Sequence, residues 1–230
     1  MPQANQNGER RTSVDEIFDD LYASIASMRL RPGDKISEAE VATKFGVSRQ
    51  PVRDAFSRLQ NLDLLLIRPQ RATEVKRFSL REVEKSRFVR AAIEAEVLRR
   101  AALACDGAGA GLLDAALERQ AEAVSAGDYA TFGALDYAFH QTLCAIARVD
   151  FAFEVISGEK AKLDRLCMLS LSKEDRMPQL LEDHRAMSDA IKVGDSAAAV
   201  AVGMLHLSRL DTTITAISTE NADYFEPDAD

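Results

Sequence analysis

Apolar residues recur along most of this chain at three- and four-residue spacing, the period of helices that bury one face. Val14, Ile17, Leu21, Ile25 and Met28 set the pattern first, with Ser13 and Glu16 as a capping box ahead of them. This stripe runs out before Arg31-Pro32-Gly33-Asp34, which is turn chemistry. Ser37 and Glu40 open the next helix, Val41, Ala42 and Phe45 give it an apolar side, and Gly46 ends it. Ser48 then caps a further helix with Pro51 in its first turn, where the missing N–H costs little. Wound at about 100° per residue, residues 49–62 place Val52, Ala55, Phe56, Leu59 and Leu62 on one side. Two short strand-like runs follow, Leu64 to Arg68 and Thr73 to Lys76, joined by Pro69 to Ala72. From Ser79 onward the strand signals stop. Ser79 and Glu82 open a long helix that reaches about Cys105, where DGAGAG, residues 106–111, breaks it. Gly127-Asp128 and Gly194-Asp195 each join a helix-ending glycine to a helix-capping aspartate, and Pro178 lies near the start of another helix. The pattern predicts a mainly α chain. Three helices and a two-stranded hairpin occupy residues 13–77, and about six helices in an antiparallel bundle occupy residues 78–218. A disordered tail over 1–12 and an acidic tail over 219–230 flank them.

The polar positions carry the first chemistry. On the helix over 49–62, Arg49, Gln50, Arg53, Ser57 and Gln60 share the face opposite the apolar one. An ordinary solvated face would look similar, but these residue types also read guanine, adenine and phosphate in a major groove. The net charge of −8 disfavours a nucleic-acid partner until the chain is divided. Residues 1–77 hold 13 basic and 11 acidic side chains, a net of +2, whereas residues 78–230 hold 16 and 26, a net of −10. A small DNA module attached to a domain with no need for phosphates fits that asymmetry. An apolar fraction of 47% suffices for packed cores, and no stretch approaches the roughly 20 apolar residues of a membrane span. The polar start MPQANQNGERRTS lacks the apolar core of a signal peptide. Cys105, Cys144 and Cys167 have no metal-like spacing and read as reduced, mostly buried thiols, so a cytoplasmic location is expected.

The stretch SEAEVATKFGVSRQPVRDAFSRLQ, with its Ser48-Arg49-Gln50-Pro51-Val52-Arg53 run, resembles the winged helix-turn-helix of the GntR family of bacterial transcription regulators. The resemblance implies that the helix opening with Ser48, Arg49, Gln50 and Arg53 enters a DNA groove. It also implies that the hairpin is a wing whose Arg71 reaches a minor groove. The chain departs from the family pattern at Asp63 and Ala72, where relatives have glycine and an unusual φ is expected.

The three histidines, His140, His184 and His206, all lie in the second region. Asp136 and His140, at i and i+4, edge the stripe Phe132, Leu135, Phe139 and Leu143 and point the same way. His184 sits among Leu180, Leu181, Met187 and Ile191, and His206 among Val202, Leu210 and Ile217. Three apolar faces thus offer metal-type ligands to one interior. Burying them unpaired is costly, and either hydrogen-bonded core histidines or a shared Zn, Ni, Fe or Mn ion meets that cost. The residues alone leave both open. RAAIEAEVLRRAA, LDYAFHQTLCAIA and EDHRAMSDAIKVGDSAAAVAVGMLHL resemble the all-helical FCD ligand-binding domain of the FadR-like GntR subgroup. The resemblance implies a divalent metal on Asp136, His140, His184 and His206, with a small carboxylate effector bound over it and contacted by Arg90. Arg90 also has Glu94 at i+4 as an internal partner. Asp150 stands where relatives often have asparagine.

The expected function is a transcription regulator that grips an inverted-repeat operator in double-stranded DNA as a homodimer and changes grip when the carboxylate arrives. The alternative is a metal-dependent hydrolase with a nucleic-acid module. That reading needs a general base beside the metal, and the histidine stripes offer no additional carboxylate.

Overall fold

The computed structural model describes residues 12–167 and 173–227, and within them the chain divides into two compact units. The expected tail over 1–12, apart from Thr12, lies outside the described residues, as do residues 228–230 of the expected acidic tail.

The first unit comprises residues up to Phe78 together with the chain end from Asp223. It contains α1 (Ser13–Ala26), β1 (Lys35–Ile36), α2 (Glu38–Phe45), α3 (Arg49–Asn61), β2 (Leu65–Leu66) and β3 (Thr73–Val75). Thr12 rather than Ser13 caps α1. Its hydroxyl accepts from the Asp15 amide at 3.3 Å, and the Asp15 carboxylate accepts from the Thr12 amide at 3.2 Å, a capping box one residue earlier than expected. Ser37 accepts from the Glu40 amide at 3.4 Å, and Gly46 closes α2 at φ 65°, a left-handed value that glycine takes without strain. Ser48 occupies the N-cap position of α3, but its side chain makes no capping hydrogen bond.

Three strands form the sheet, not two. β1 pairs with β3 as Lys35↔Glu74 and Ile36↔Thr73, and β2 pairs with β3 as Leu65↔Val75 and Leu66↔Glu74, all antiparallel. A two-residue strand has no period to detect, so β1 left no trace in the apolar pattern. Ile17, Leu21, Ile25, Val52, Ala55, Phe56, Leu59, Leu65 and Val75 form the core between α1, α3 and the sheet. Leu62, assigned by periodicity to the buried face, is 52% exposed because it is already the C-cap. The chain end returns to this unit. Phe78 donates its amide to Tyr224 O at 2.9 Å, Glu226 donates to Phe78 O at 2.7 Å, and the Phe78 and Phe225 rings lie 5.5 Å apart.

The second unit runs from Ser79 to Ala222 and holds α4 (Leu80–Ala104), α5 (Gly107–Ala126), α6 (Tyr129–Ile146), α7 (Phe151–Cys167), α8 (Lys173–Lys192) and α9 (Ser196–Glu220). The break falls where expected, with α4 ending at Ala104 and Cys105 as its C-cap, and residues 106–111 begin the next helix. Asp106 caps α5 through the Gly109 amide at 2.9 Å, and the glycines form the helix's first turns. Gly109 is buried, and a Cβ there would press on Cys105 Sγ at 3.3 Å and on Ile146 at 3.4 Å. Gly127 and Gly194 take φ of 64° and 76°, and Asp128 and Asp195 cap the helices that follow. α4 packs against α6, α7, α8 and α9, which makes it the central helix. Gly203 permits the approach of α9, since a Cβ there would collide with Leu98 of α4. Leu98, Leu113, Phe139, Leu143, Ile156, Met187 and Ile191 build the core. Cys144 is buried and its thiol is pushed up to about 12 by desolvation, whereas Cys105 is half-buried. The Cys167 side chain lies outside the described residues.

Phe56 and Leu62 test the packing. Phe56→Ala should cost about 3–5 kcal/mol of unfolding free energy, whereas Leu62→Ala should stay within about 0.5 kcal/mol. Urea unfolding of both variants measures this, and equal losses would contradict the burial pattern.

Candidate metal centre and DNA-reading face

In the second unit, α6 places Asp136 and His140 one turn apart, α8 brings His184 and α9 brings His206. One ligand atom from each lies within 4.8 Å of the others, and all four residues are buried. The ring centroids are separated by 5.8 Å for His140–His184, 5.7 Å for His140–His206 and 4.9 Å for His184–His206. Phe139 stacks on His184 at 4.3 Å and fixes its plane.

A surrounding set of polar groups orients the imidazoles. Gln120 donates its amide nitrogen to Leu135 O at 3.2 Å, which turns its carbonyl toward His184 Nδ1 at 2.8 Å. A carbonyl only accepts, so His184 must carry its proton on Nδ1, and its Nε2 is a bare lone pair. Glu94 Oε2 lies 3.2 Å from His140 Nδ1 and has the same effect there. His206 Nδ1 lies 3.5 Å from Asp183 Oδ2, an ion-pair distance rather than a hydrogen bond. Such acceptors behind the ring are the usual outer partners of metal-ligating histidines.

The inner atoms supply the test of fit. His140 Nε2 and His184 Nε2 are buried without a hydrogen-bond partner, and His184 Nε2 faces Asp136 Oδ1 at 3.4 Å. Two acceptors turned toward each other in a dry interior repel, and each unmatched group costs about 1–3 kcal/mol. A shared cation relieves all of them, and one carboxylate with three imidazoles is a donor set for borderline divalent transition metals. The residues present therefore fit such a metal.

Each buried carboxylate has its own cation. Arg90 Nε lies 2.8 Å from Glu94 Oε1, Lys160 Nζ lies 3.0 Å from Asp136 Oδ2, and Arg209 Nε lies 2.7 Å from Asp183 Oδ2. Burial alone would push all three carboxyls up. Lys160 and then the histidines hold Asp136 well below the usual range, His140 and Arg90 hold Glu94 at about 2, and His206 and Arg209 hold Asp183 at about 2. For His184, burial and then the neighbouring His206 hold the imidazole well below its ordinary value.

Arg90 is thus paired with Glu94, the internal partner that the i, i+4 spacing offered. It also lines a cavity of about 360 Å³, together with Glu84, Arg87, Phe88, Met204 and Leu207, and none of the four candidate ligands lines that cavity. Sequence reasoning missed Gln120, Lys160 and Asp183, and saw Glu94 only as a partner for Arg90. Asp183 adjoins His184 in sequence and was within reach. Lys160 and Gln120 carry no local signal.

In the first unit, Ser48, Arg49, Gln50 and Arg53 are placed together at the start of α3, the latter three exposed in its first turns. Arg53 Nε is 2.9 Å from Glu38 Oε2, and Gln50 donates to Asp54 Oδ1 at 2.9 Å. Both pairs are solvent-exposed and worth at most about 1 kcal/mol, so exchange for DNA contacts is cheap. Arg71 is exposed at the hairpin turn. Asp63 takes a left-handed φ of 60°, as its departure from glycine suggested. Ala72 does not, and Gln70 carries the turn's left-handed residue instead at φ 57°.

Comparison with known proteins resolves what kind of molecule this is. The model of bacterial regulatory proteins, gntR family, matches residues 13–75, and the FCD domain model matches residues 87–209. The HTH-type transcriptional repressor RspR of Escherichia coli (strain K12) is 34% identical over 210 residues, 91% of this chain and 92% of that protein. The chain belongs to the gntR family of bacterial regulatory proteins. An HTH-type transcriptional regulator in an unstable DNA locus of Streptomyces ambofaciens is 30% identical over 98% of this chain and 94% of its own. The structure of E. coli McbR/YncC has the same fold, with a TM-score of 0.65 at 17% identity over 92% of this chain and 99% of that one. The protein is therefore a DNA-binding transcription regulator of the GntR/FCD type and not an enzyme, which sets aside the metal-dependent hydrolase. Among the described residues no helix is long and apolar enough to cross a membrane.

The titrations predict an acid-sensitive bundle. Unfolded chain protonates His184 near pH 6.5 while the folded protein resists, so below that pH the unfolded state binds more protons and stability falls. Glu94 and Asp183, both depressed to about 2, add a second loss as pH drops below about 4. Melting of chelator-treated protein should therefore fall from pH 7 to pH 5, with a shallower slope in His184→Gln. Parallel slopes would contradict the assignment.

Proposed function

We propose that this regulator grips an inverted-repeat operator as a homodimer, and that a small carboxylate bound over a divalent transition metal changes that grip. The observation that carries the reading is the pair of buried Nε2 lone pairs of His140 and His184, turned inward beside Asp136 and His206. The ion would be Zn, Ni, Fe or Mn, held by Asp136, His140, His184 and His206. When bound, it supplies positive charge and open coordination positions for a carboxylate. Arg90, which lines the cavity and pairs with Glu94, is the proposed anion partner. Ser48, Arg49, Gln50 and Arg53 would read the major groove, with Arg71 in the adjacent minor groove. A single winged helix reads one half-site, hence the dimer. The relative RspR is named a repressor, which supports repression as the output.

On operator DNA selected in vitro from random duplexes, Arg49→Ala and Arg53→Ala should each cost about 1–3 kcal/mol at fixed salt, and unchanged affinity for both would remove α3 from the interface. Light scattering should give a dimer.

Elemental analysis of untagged protein should find one transition metal per chain, and EDTA should lower the melting temperature. His184→Ala should lose the metal. Arg90→Lys keeps the charge beside Glu94, so it should retain the metal and lose the carboxylate response. Protein free of metal and indifferent to EDTA would leave a core of hydrogen-bonded histidines.

A further inference from the structure

Lys160 has no role in the reading above. It lies on α7, a helix that contributes no candidate ligand, and its side chain is only 12% exposed. Its ammonium lies 3.0 Å from Asp136 Oδ2 and 2.9 Å from each oxygen of Asp164. It also sits 4.2 Å from the Tyr137 ring, and the Tyr137 hydroxyl donates to Asp164 Oδ2 at 2.7 Å. Lys160 is therefore held in place from three sides. One oxygen of Asp136 is committed to it, while the other, Oδ1, faces His184 Nε2.

The charge tally gives this contact its meaning. With histidines in the neutral form that binds metal, the buried carboxylates Glu94, Asp136 and Asp183 are matched one for one by Arg90, Lys160 and Arg209. Asp164, which shares Lys160, adds one more negative charge at the rim, so the protein groups around the site sum to −1. A divalent metal adds two positive charges to a dry interior, where an unmatched charge is expensive.

We propose that Lys160 is a built-in counter-cation for Asp136 that limits the aspartate to one metal-facing oxygen and disfavours a divalent metal bound without an accompanying anion. This rests on the metal reading of the site. The lysine keeps Asp136 matched when no metal is bound, so the bundle holds together without one. The same charge opposes a metal arriving alone, and an anion bound over that metal removes the opposition. Lys160 acts through Asp136 and is a positioning residue.

The test uses the full chain, stripped of metal, with zinc as the probe. Zinc affinity is measured by competition with a chelating dye, alone and with succinate or acetate, for the parent protein, Lys160→Met and Lys160→Gln. Succinate and acetate should each tighten zinc binding to the parent at least about tenfold. Both variants should bind zinc alone about tenfold tighter than the parent, show a smaller succinate effect, and melt lower than the parent without metal. The opposed directions are diagnostic, because a lysine with a merely structural role would lower metal-free stability and zinc affinity together. That outcome, or a parent zinc affinity indifferent to succinate, overturns the proposal while leaving the metal site standing. Absence of stoichiometric zinc from the parent overturns the metal site and the proposal with it.

Discussion

The second unit depends on one constraint: polar atoms inside a protein must find partners. Four helices, α4, α6, α8 and α9, bring three imidazoles and three carboxylates into a buried interior. The outer ring edges of His140 and His184 are matched by Glu94 and Gln120, and the carboxylates by Arg90, Lys160 and Arg209. The inner atoms have only each other. Helix packing, tautomer choice and charge placement are thus parts of one arrangement. α4 is central in both senses, packing against four helices and carrying the Arg90–Glu94 pair that reaches His140.

The DNA-reading face is governed by the opposite regime. Its ion pairs are exposed, weak and exchangeable, so Glu38 and Asp54 can release Arg53 and Gln50 at little cost. Rigidity there comes from the core beneath, where Val52, Ala55, Phe56 and Leu59 anchor the buried side of α3. A helix so anchored presents its outer face in a fixed orientation while its side chains remain free to choose partners.

Much of this was legible in the sequence, for reasons that particular residues show. Asp136 and His140 are one turn apart on one helix, and His184 and His206 interrupt apolar stripes, so local periodicity alone placed them in an interior. Gly46, Gly127 and Gly194 marked helix ends because left-handed backbone favours glycine. What escaped was non-local or too short. Lys160 meets Asp136 only through tertiary packing. β1 is two residues long, and DGAGAG, which does end α4, hides by its poor helix propensity that Asp106 caps the next helix, where Gly109 is closely packed.

The bridge between Phe78 and Phe225 also bears on how the chain is made. The first unit draws on both ends of the chain, and its Arg77–Asp223 contact joins residues 146 positions apart. A ribosome adding about 5–20 residues per second needs on the order of 7–30 seconds to cover that distance. The core residues of the winged helix are all synthesised before that interval, so the contact between Arg77 and Asp223 is made long after the residues around Phe56 are available.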